Sequence, residues 1–286
     1  MLSNFLNYKC KLDLNYNILE VKYVKSRMNL RFLVITAVFI AIAIVLRPFA
    51  ITVAAGGILT IRISFDAICY IVPGLIFGPL YGGIAGGLID IFGYIMKPMG
   101  GYIPLFTITN IIAGILPAIL WRSIINKSKY KIRNYYSIFF ILLFLIGFIN
   151  FIIIKFMSNT TLSRLLMFLG KKSQYFSYGF MLIGIIGILI LLINLFINKN
   201  LGKFYSFINN YYFKMVIVLG ISGIFICTIN TYILLILTPA LMAKGFMFLW
   251  IPRIIETLLM TAINSYIVCI ILYSYNLFYS RVVKKA

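Results

Sequence analysis

The sequence predicts an all-α integral membrane protein with eight spans and both termini in the cytoplasm. Hydrophobic residues make up 63% of the chain, mean hydropathy is +1.06, and only 11% of residues are charged. A soluble domain carries about a quarter charged residues. Apolar runs approach the roughly 20 residues that a helix needs to cross a bilayer, and they recur along the whole chain. The basic residues collect in alternate inter-span segments, as the positive-inside rule requires of a multi-pass protein.

The elements run in order from the N-terminus. Residues 1–31 hold no long apolar region of the kind a signal peptide needs. They read as a cytoplasmic tail or, because Met28 directly precedes the first apolar run, as an upstream start. Span one is placed at 32–54. Spans two and three, at 64–79 and 81–96, are short. They form a hairpin turned at Gly78-Pro79-Leu80-Tyr81-Gly82, where Pro79 lacks the N–H that a continuous helix would use. Span four occupies 103–125, and the remaining four are placed at 136–157, 177–198, 212–238 and 248–280. Lys199 and Lys203 mark a polar loop between spans six and seven. With Arg122 and Lys214 counted at the inner ends of spans four and seven, seventeen of the 26 lysines and arginines then fall in or beside the N-terminal tail, the loops after spans four and six, and the C-terminal tail. That bias sets the orientation.

Several function classes are excluded by what is missing. The chain has no histidine, and Cys10, Cys69, Cys227 and Cys269 fit neither a zinc pattern nor a CxxC redox pair. No metal or cofactor is expected. No nucleophile–base pair points to an enzyme. There is no GxxxxGK[ST] loop, so any ATP-driven step belongs to another subunit. The net charge of +21 is scattered through short loops. That placement fits lipid headgroups, not nucleic acid.

Residues 62–118 are the most informative stretch: RISFDAICYIVPGLIFGPLYGGIAGGLIDIFGYIMKPMGGYIPLFTITNIIAGILPA. It holds four charges, Arg62, Asp66, Asp90 and Lys97, and an ion in lipid needs a partner, a watery cavity or a ligand. Asp90 sits about 12 Å into span three at the helical rise. It either pairs internally with Arg47 or Arg253 or accepts hydrogen bonds from an N–H-rich ligand edge. Gly74, Gly78, Gly82 and Gly86 recur every fourth residue beside Gly83 and Gly87, a spacing that lets helix backbones approach closely. On span eight Arg253 and Glu256 are three apart and share a helix face, as a structural couple or as a ligand clamp through the arginine fork. Ala37 and Ala41 form an AxxxA on span one.

These elements carry a resemblance. Arg62-Ile63-Ser64-Phe65, Gly78-Pro79, Asp90-Ile91-Phe92-Gly93, Phe106-Thr107-Ile108, Asn230-Thr231-Tyr232 and Pro252-Arg253 occur in order. Together they resemble the folate-family substrate-binding (S) component of energy-coupling-factor (ECF) vitamin transporters. The resemblance implies a six-helix bundle, residues 32–134 giving its first four helices and 212–286 its last two helices and a basic tail. Residues 135–211 would then insert two extra helices, an even number that preserves the orientation of the last two. It also implies uptake of folate or a reduced folate, with a transmembrane coupling subunit and two ATPase subunits as partners. Ala37 and Ala41 would face that coupling subunit. Arg62, Lys97 and Arg253 would hold the glutamate tail, Phe65, Phe92 and Phe106 would stack the rings, Thr107 belongs to the same motif, and Asp90 would take the pterin edge. The chain departs from the family in Asp66-Ala67-Ile68-Cys69, which delays the proline after Ser-Phe to Pro73. Another vitamin in the same transporter class and a non-transport membrane scaffold are the rival readings. Heavy use of Ile, Lys, Asn, Phe and Tyr suggests an AT-rich bacterial genome and hence a bacterial plasma membrane.

Overall fold

The computed structural model describes residues 30–55, 58–98, 101–156, 173–197, 202–238 and 246–285. Residues 1–29 and 157–172 lie outside the described residues. Eight α-helices are present among those described: α1 Leu30–Leu46, α2 Ala67–Phe77, α3 Pro79–Met96, α4 Pro104–Ile124, α5 Lys129–Phe156, α6 Ser173–Ile197, α7 Lys203–Leu237 and α8 Phe246–Lys285. Six described segments are long and apolar enough to cross a membrane, in α1, α3, α4, α5, α7 and α8. At 11 residues, α2 rises only about 16 Å and cannot cross a hydrocarbon core about 30 Å thick by itself.

The end of span one departs from the expected helix to residue 54. The helix stops at Leu46, a 3₁₀ turn covers Arg47–Phe49, and the chain then forms an antiparallel hairpin. Strand β1, Ile51–Ala55, pairs with β2, Ile58–Ile63, with Ile51 opposite Ile63 and Thr52 opposite Arg62. Pro48 supplies the physical reason, since it donates no backbone N–H to the helix and disfavours helical geometry at the residue before it. The β-branched residues of Ile51-Thr52-Val53 and Thr60-Ile61 favour extended backbone, and Gly56-Gly57 between the strands is a hairpin signal. The two largest of the other boundary shifts are at helix starts. Helix α7 begins at Lys203 instead of 212, and α5 at Lys129 instead of 136.

The break between α2 and α3 falls where the sequence places it. Gly78 adopts φ 119° and ψ 167°, a conformation open essentially to glycine alone, and Pro79 opens α3. The glycine series then packs this hairpin against α4. A Cβ on Gly74 would lie 2.7 Å from the Gly114 carbonyl oxygen, and one on Gly82 would run into the same carbonyl. A Cβ on Gly86 would collide with the Asn110 carbonyl. Removing those side chains lets α2, α3 and α4 approach backbone to backbone, which drives association where lipid offers no hydrophobic contrast.

On the other side of α4, Lys214 of α7 is buried and its Nζ donates to the Ile125 carbonyl at 2.6 Å. A cation at that position satisfies a free carbonyl at the C-terminal end of α4 and complements its dipole. Cys69, Cys227 and Cys269 are buried free thiols.

Helices α5 and α6 pack chiefly on each other and on α7 and α8. Gly184 and Gly187 of α6 lie against Phe144 and Phe140 of α5, and the Tyr136 hydroxyl donates to the Gly187 carbonyl at 3.2 Å. Tyr136 meets Phe213 of α7 edge to face, ring centroids 4.9 Å apart. Replacing residues 136–200 by a short polar linker is therefore expected to expose an apolar face of α7 to lipid, which solvates it well. The shortened protein should retain ligand binding in detergent, measured by calorimetry. A folded truncation that binds nothing would place α5–α6 in the binding site.

Candidate ligand-binding site

A cavity of about 460 Å³ lies among the end of α1, the start of α2, and α3, α4, α7 and α8. Its walls are laid down by helical periodicity. On α7 the lining residues are Leu219, Ser222, Gly223, Ile226, Cys227 and Asn230; on α8 they are Arg253, Glu256, Thr257, Met260, Thr261 and Asn264. Both sets follow the i, i+3, i+4 pattern of one helix face. Each runs over three turns, about 16 Å at the helical rise, so the cavity is elongated. Gly86, Ile89, Asp90, Tyr94 and Lys97 form the α3 wall, and Phe106, Asn110, Ala113 and Pro117 the α4 wall. Among the described residues, neither α5 nor α6 contributes to the lining.

Beyond residue 20 the chain has three acidic residues, Asp66, Asp90 and Glu256, and all three line this cavity. Asp90 has an internal partner. Arg47 Nη2 lies 3.5 Å from Asp90 Oδ1, and Arg47 Nη1 donates to the Ile89 carbonyl at 2.8 Å. Thr107 Oγ1 donates to Asp90 Oδ2 at 2.7 Å and shares a 2.7 Å hydrogen bond with the Tyr102 hydroxyl. Gly93 makes this possible, because a Cβ there would collide with the Arg47 guanidinium. Thus the helix end, α3, α4 and the link between them are tied at one buried carboxylate. Near the same mouth Ser64 Oγ donates to Asp66 Oδ1 at 2.6 Å, and Lys97 Nζ reaches the Pro48 carbonyl at 3.4 Å.

The opposite wall is different. Arg253 Nη1, Asn230 Oδ1 and Asn264 Oδ1 are buried with no hydrogen-bond partner among the described residues, and all three residues line the cavity. The threonines between them are engaged, since Thr257 Oγ1 donates to the Arg253 carbonyl and Thr261 Oγ1 to the Thr257 carbonyl, each at 2.7 Å. A buried polar atom without a partner costs about 1–3 kcal/mol, so three such atoms on residues that line one cavity mark this wall as fit for a polar occupant.

The expected site residues divide accordingly. Asp90, Lys97, Phe106 and Arg253 come together on the cavity. Thr107 stands behind Asp90 and is buried. Phe65 and Phe92 are exposed and outside the lining. Arg62 lies on β2, opposite Thr52. Sequence reasoning did not single out Asn264 or Asn110, and it included Asn230 only as part of a motif. Their signal was the i, i+3, i+4 spacing of polar residues within apolar spans. Ala37 and Ala41 are exposed on α1, whereas Thr36, Ile40 and Ala43 are buried.

A bundle of apolar helices enclosing an elongated polar cavity defines a membrane-embedded receptor or carrier of small molecules. Residues 31–272 match the family described as ECF transporter, substrate-specific component, and the chain belongs to that family. It is a multi-pass protein of the bacterial plasma membrane. The chain is also similar to "Folate transporter FolT" of Clostridium novyi (strain NT), 38% identical over 56 residues. That similarity covers 20% of this chain and spans a third of the relative's length (33%). No solved structure matches the chain.

Proposed function

We propose that this chain is the folate-binding S component of an ECF transporter. It takes up folate or a reduced folate while a transmembrane coupling subunit and two ATPase subunits supply the energy. The observation that carries the reading is the wall formed by Asn230, Arg253 and Asn264, which lines an elongated cavity of about 460 Å³ and carries buried polar atoms without partners among the described residues. That volume falls in the range of about 300–1,000 Å³ typical of small-molecule sites. A folate is long, aromatic in the middle, rich in hydrogen-bonding groups at one end and dianionic at the other. Phe106, Tyr70, Tyr94 and Tyr102 on the lining offer aromatic surface, and Arg253 and Lys97 offer positive charge. The similarity to a folate transporter supports the substrate class.

Within this reading Arg253 contacts the ligand's tail through its buried donor, and Lys97 and Arg62 are the further contacts of that tail. Phe106 stacks the rings. Asp90 and Thr107 serve the wall itself, since Arg47 and Thr107 already engage both Asp90 oxygens. Phe65 is a contact made only if its loop turns inward around the ligand. Eight membrane segments with both termini cytoplasmic, and 135–211 as an insertion in a six-helix core, complete the proposal.

Titrating the purified protein in detergent with folic acid is expected to show saturable binding at micromolar concentration or below. Intrinsic fluorescence of Trp121 and Trp250 or calorimetry reads it. Absence of any folate signal alongside binding of another vitamin would assign the same cavity to a different ligand.

A further inference from the structure

Asn264 is 7% exposed and lies on the cavity lining with its Oδ1 unpartnered. It sits 11 residues beyond Arg253 on α8, three turns along one helix face, or about 16 Å at the helical rise. The α7 face places the two ends in the same order. Trp250 Nε1 donates to Thr228 Oγ1 at 2.9 Å, while Gly220 lies beside Thr261. Asn230 therefore stands toward the Arg253 end, and Leu219 toward Asn264.

The two ends differ in chemistry. The lining holds six charged residues, Arg47, Asp66, Asp90, Lys97, Arg253 and Glu256. Arg47 pairs with Asp90 and Lys97 reaches the adjoining Pro48 carbonyl, and on α8 the charges are confined to Arg253 and Glu256, whereas the far end of the α8 face presents only the neutral groups of Thr261 and Asn264. Thr261 Oγ1 has already given its proton to the Thr257 carbonyl. The unpartnered polar atom there, among the described residues, is the Asn264 amide oxygen, a buried acceptor.

We infer that Asn264 is the recognition residue for the uncharged, N–H-bearing heterocyclic end of the ligand, which enters first and lies against the floor of the cavity while the anionic tail stays at Arg253. The inference rests on the folate reading and adds the ligand's direction and the residue that reads its ring. An amide oxygen that meets water only poorly discriminates strongly, because a ring lacking the matching N–H leaves it unsatisfied. The wall built by Arg47, Asp90 and Thr107 then holds the cavity's shape and leaves ring recognition to α8.

Asn264→Leu, with Asn264→Ser as a second variant, tests this on the full chain in detergent with folic acid, pterin and p-aminobenzoylglutamate as probes. A structural asparagine and a ligand-reading one respond differently. Removing an acceptor that has no partner leaves the ligand-free melting temperature unchanged or raises it. Affinity for folic acid and for pterin should fall about tenfold or more, while the weak binding of p-aminobenzoylglutamate stays at the wild-type value. Wild-type affinity for pterin in either variant overturns the inference and leaves the folate reading standing. So does an equal loss for the tail fragment, a lowered ligand-free melting temperature, or failure of both variants to fold, each marking a packing role. Wild-type protein that binds no pterin compound overturns the folate reading and the inference together.

Discussion

Replacing Ala37 and Ala41 together by Leu is expected to abolish uptake in cells and co-purification of partner subunits, while folic acid binding in detergent stays intact. The two alanines lie one turn apart on α1 and are exposed, whereas Thr36, Ile40 and Ala43 face inward. The outward face of α1 also carries exposed Val34, Val38, Ile42 and Val45. Small residues on an apolar face matter where another helix must approach, because close backbone contact supplies the association energy in lipid. Bulk added at both positions holds a partner helix away along a whole turn and leaves the far side of α1 untouched. Binding lost in step with uptake would mark the alanines as internal packing positions, against their exposure.

How much of this could be read from the chain depends on the range of the signal. The hinge at Gly78-Pro79 is local chemistry, and it stands where the sequence puts it. The glycine ladder announces close packing by its four-residue period, though only the structure shows that Gly82 and Gly114 are the crossing pair. The hairpin at 51–63 was hidden because its residues are as apolar as a span. Pro48, the β-branched run and Gly56-Gly57 were the contrary signs, outweighed by hydropathy. Asp90's partner could be narrowed to Arg47 or Arg253 but not chosen, since the pair spans 43 positions and depends on Gly93 leaving room. Phe65 and Phe92 look as suitable for stacking as Phe106 until the backbone fixes which way each faces. Asn264 was within reach of the sequence. Arg253, Thr257, Thr261 and Asn264 form a polar stripe at helical spacing in an apolar segment, and such a stripe needs something polar to face.

Arg253→Ala is expected to lower affinity for folic acid about 30-fold or more, by calorimetry. Removing one side of a buried charge-assisted contact costs roughly 2–5 kcal/mol, much of it from the group left behind. The loss should be large for ligands that keep the glutamate carboxylates and small for bare pterin, because Nη1 has no partner among the described residues to share the donor with. A structural role would look otherwise. If Arg253 served Asp90, a thermal double-mutant cycle on the ligand-free protein would couple the two. The observed ion pair instead joins Asp90 to Arg47 at 3.5 Å, with Thr107 on the other oxygen. The expected pattern is therefore strong coupling between Arg47→Met and Asp90→Asn, and additivity between Arg253→Ala and Asp90→Asn. Coupling between Arg253 and Asp90, with folic acid binding unchanged in the folded Arg253→Ala protein, would return Arg253 to the framework and remove it from the ligand site.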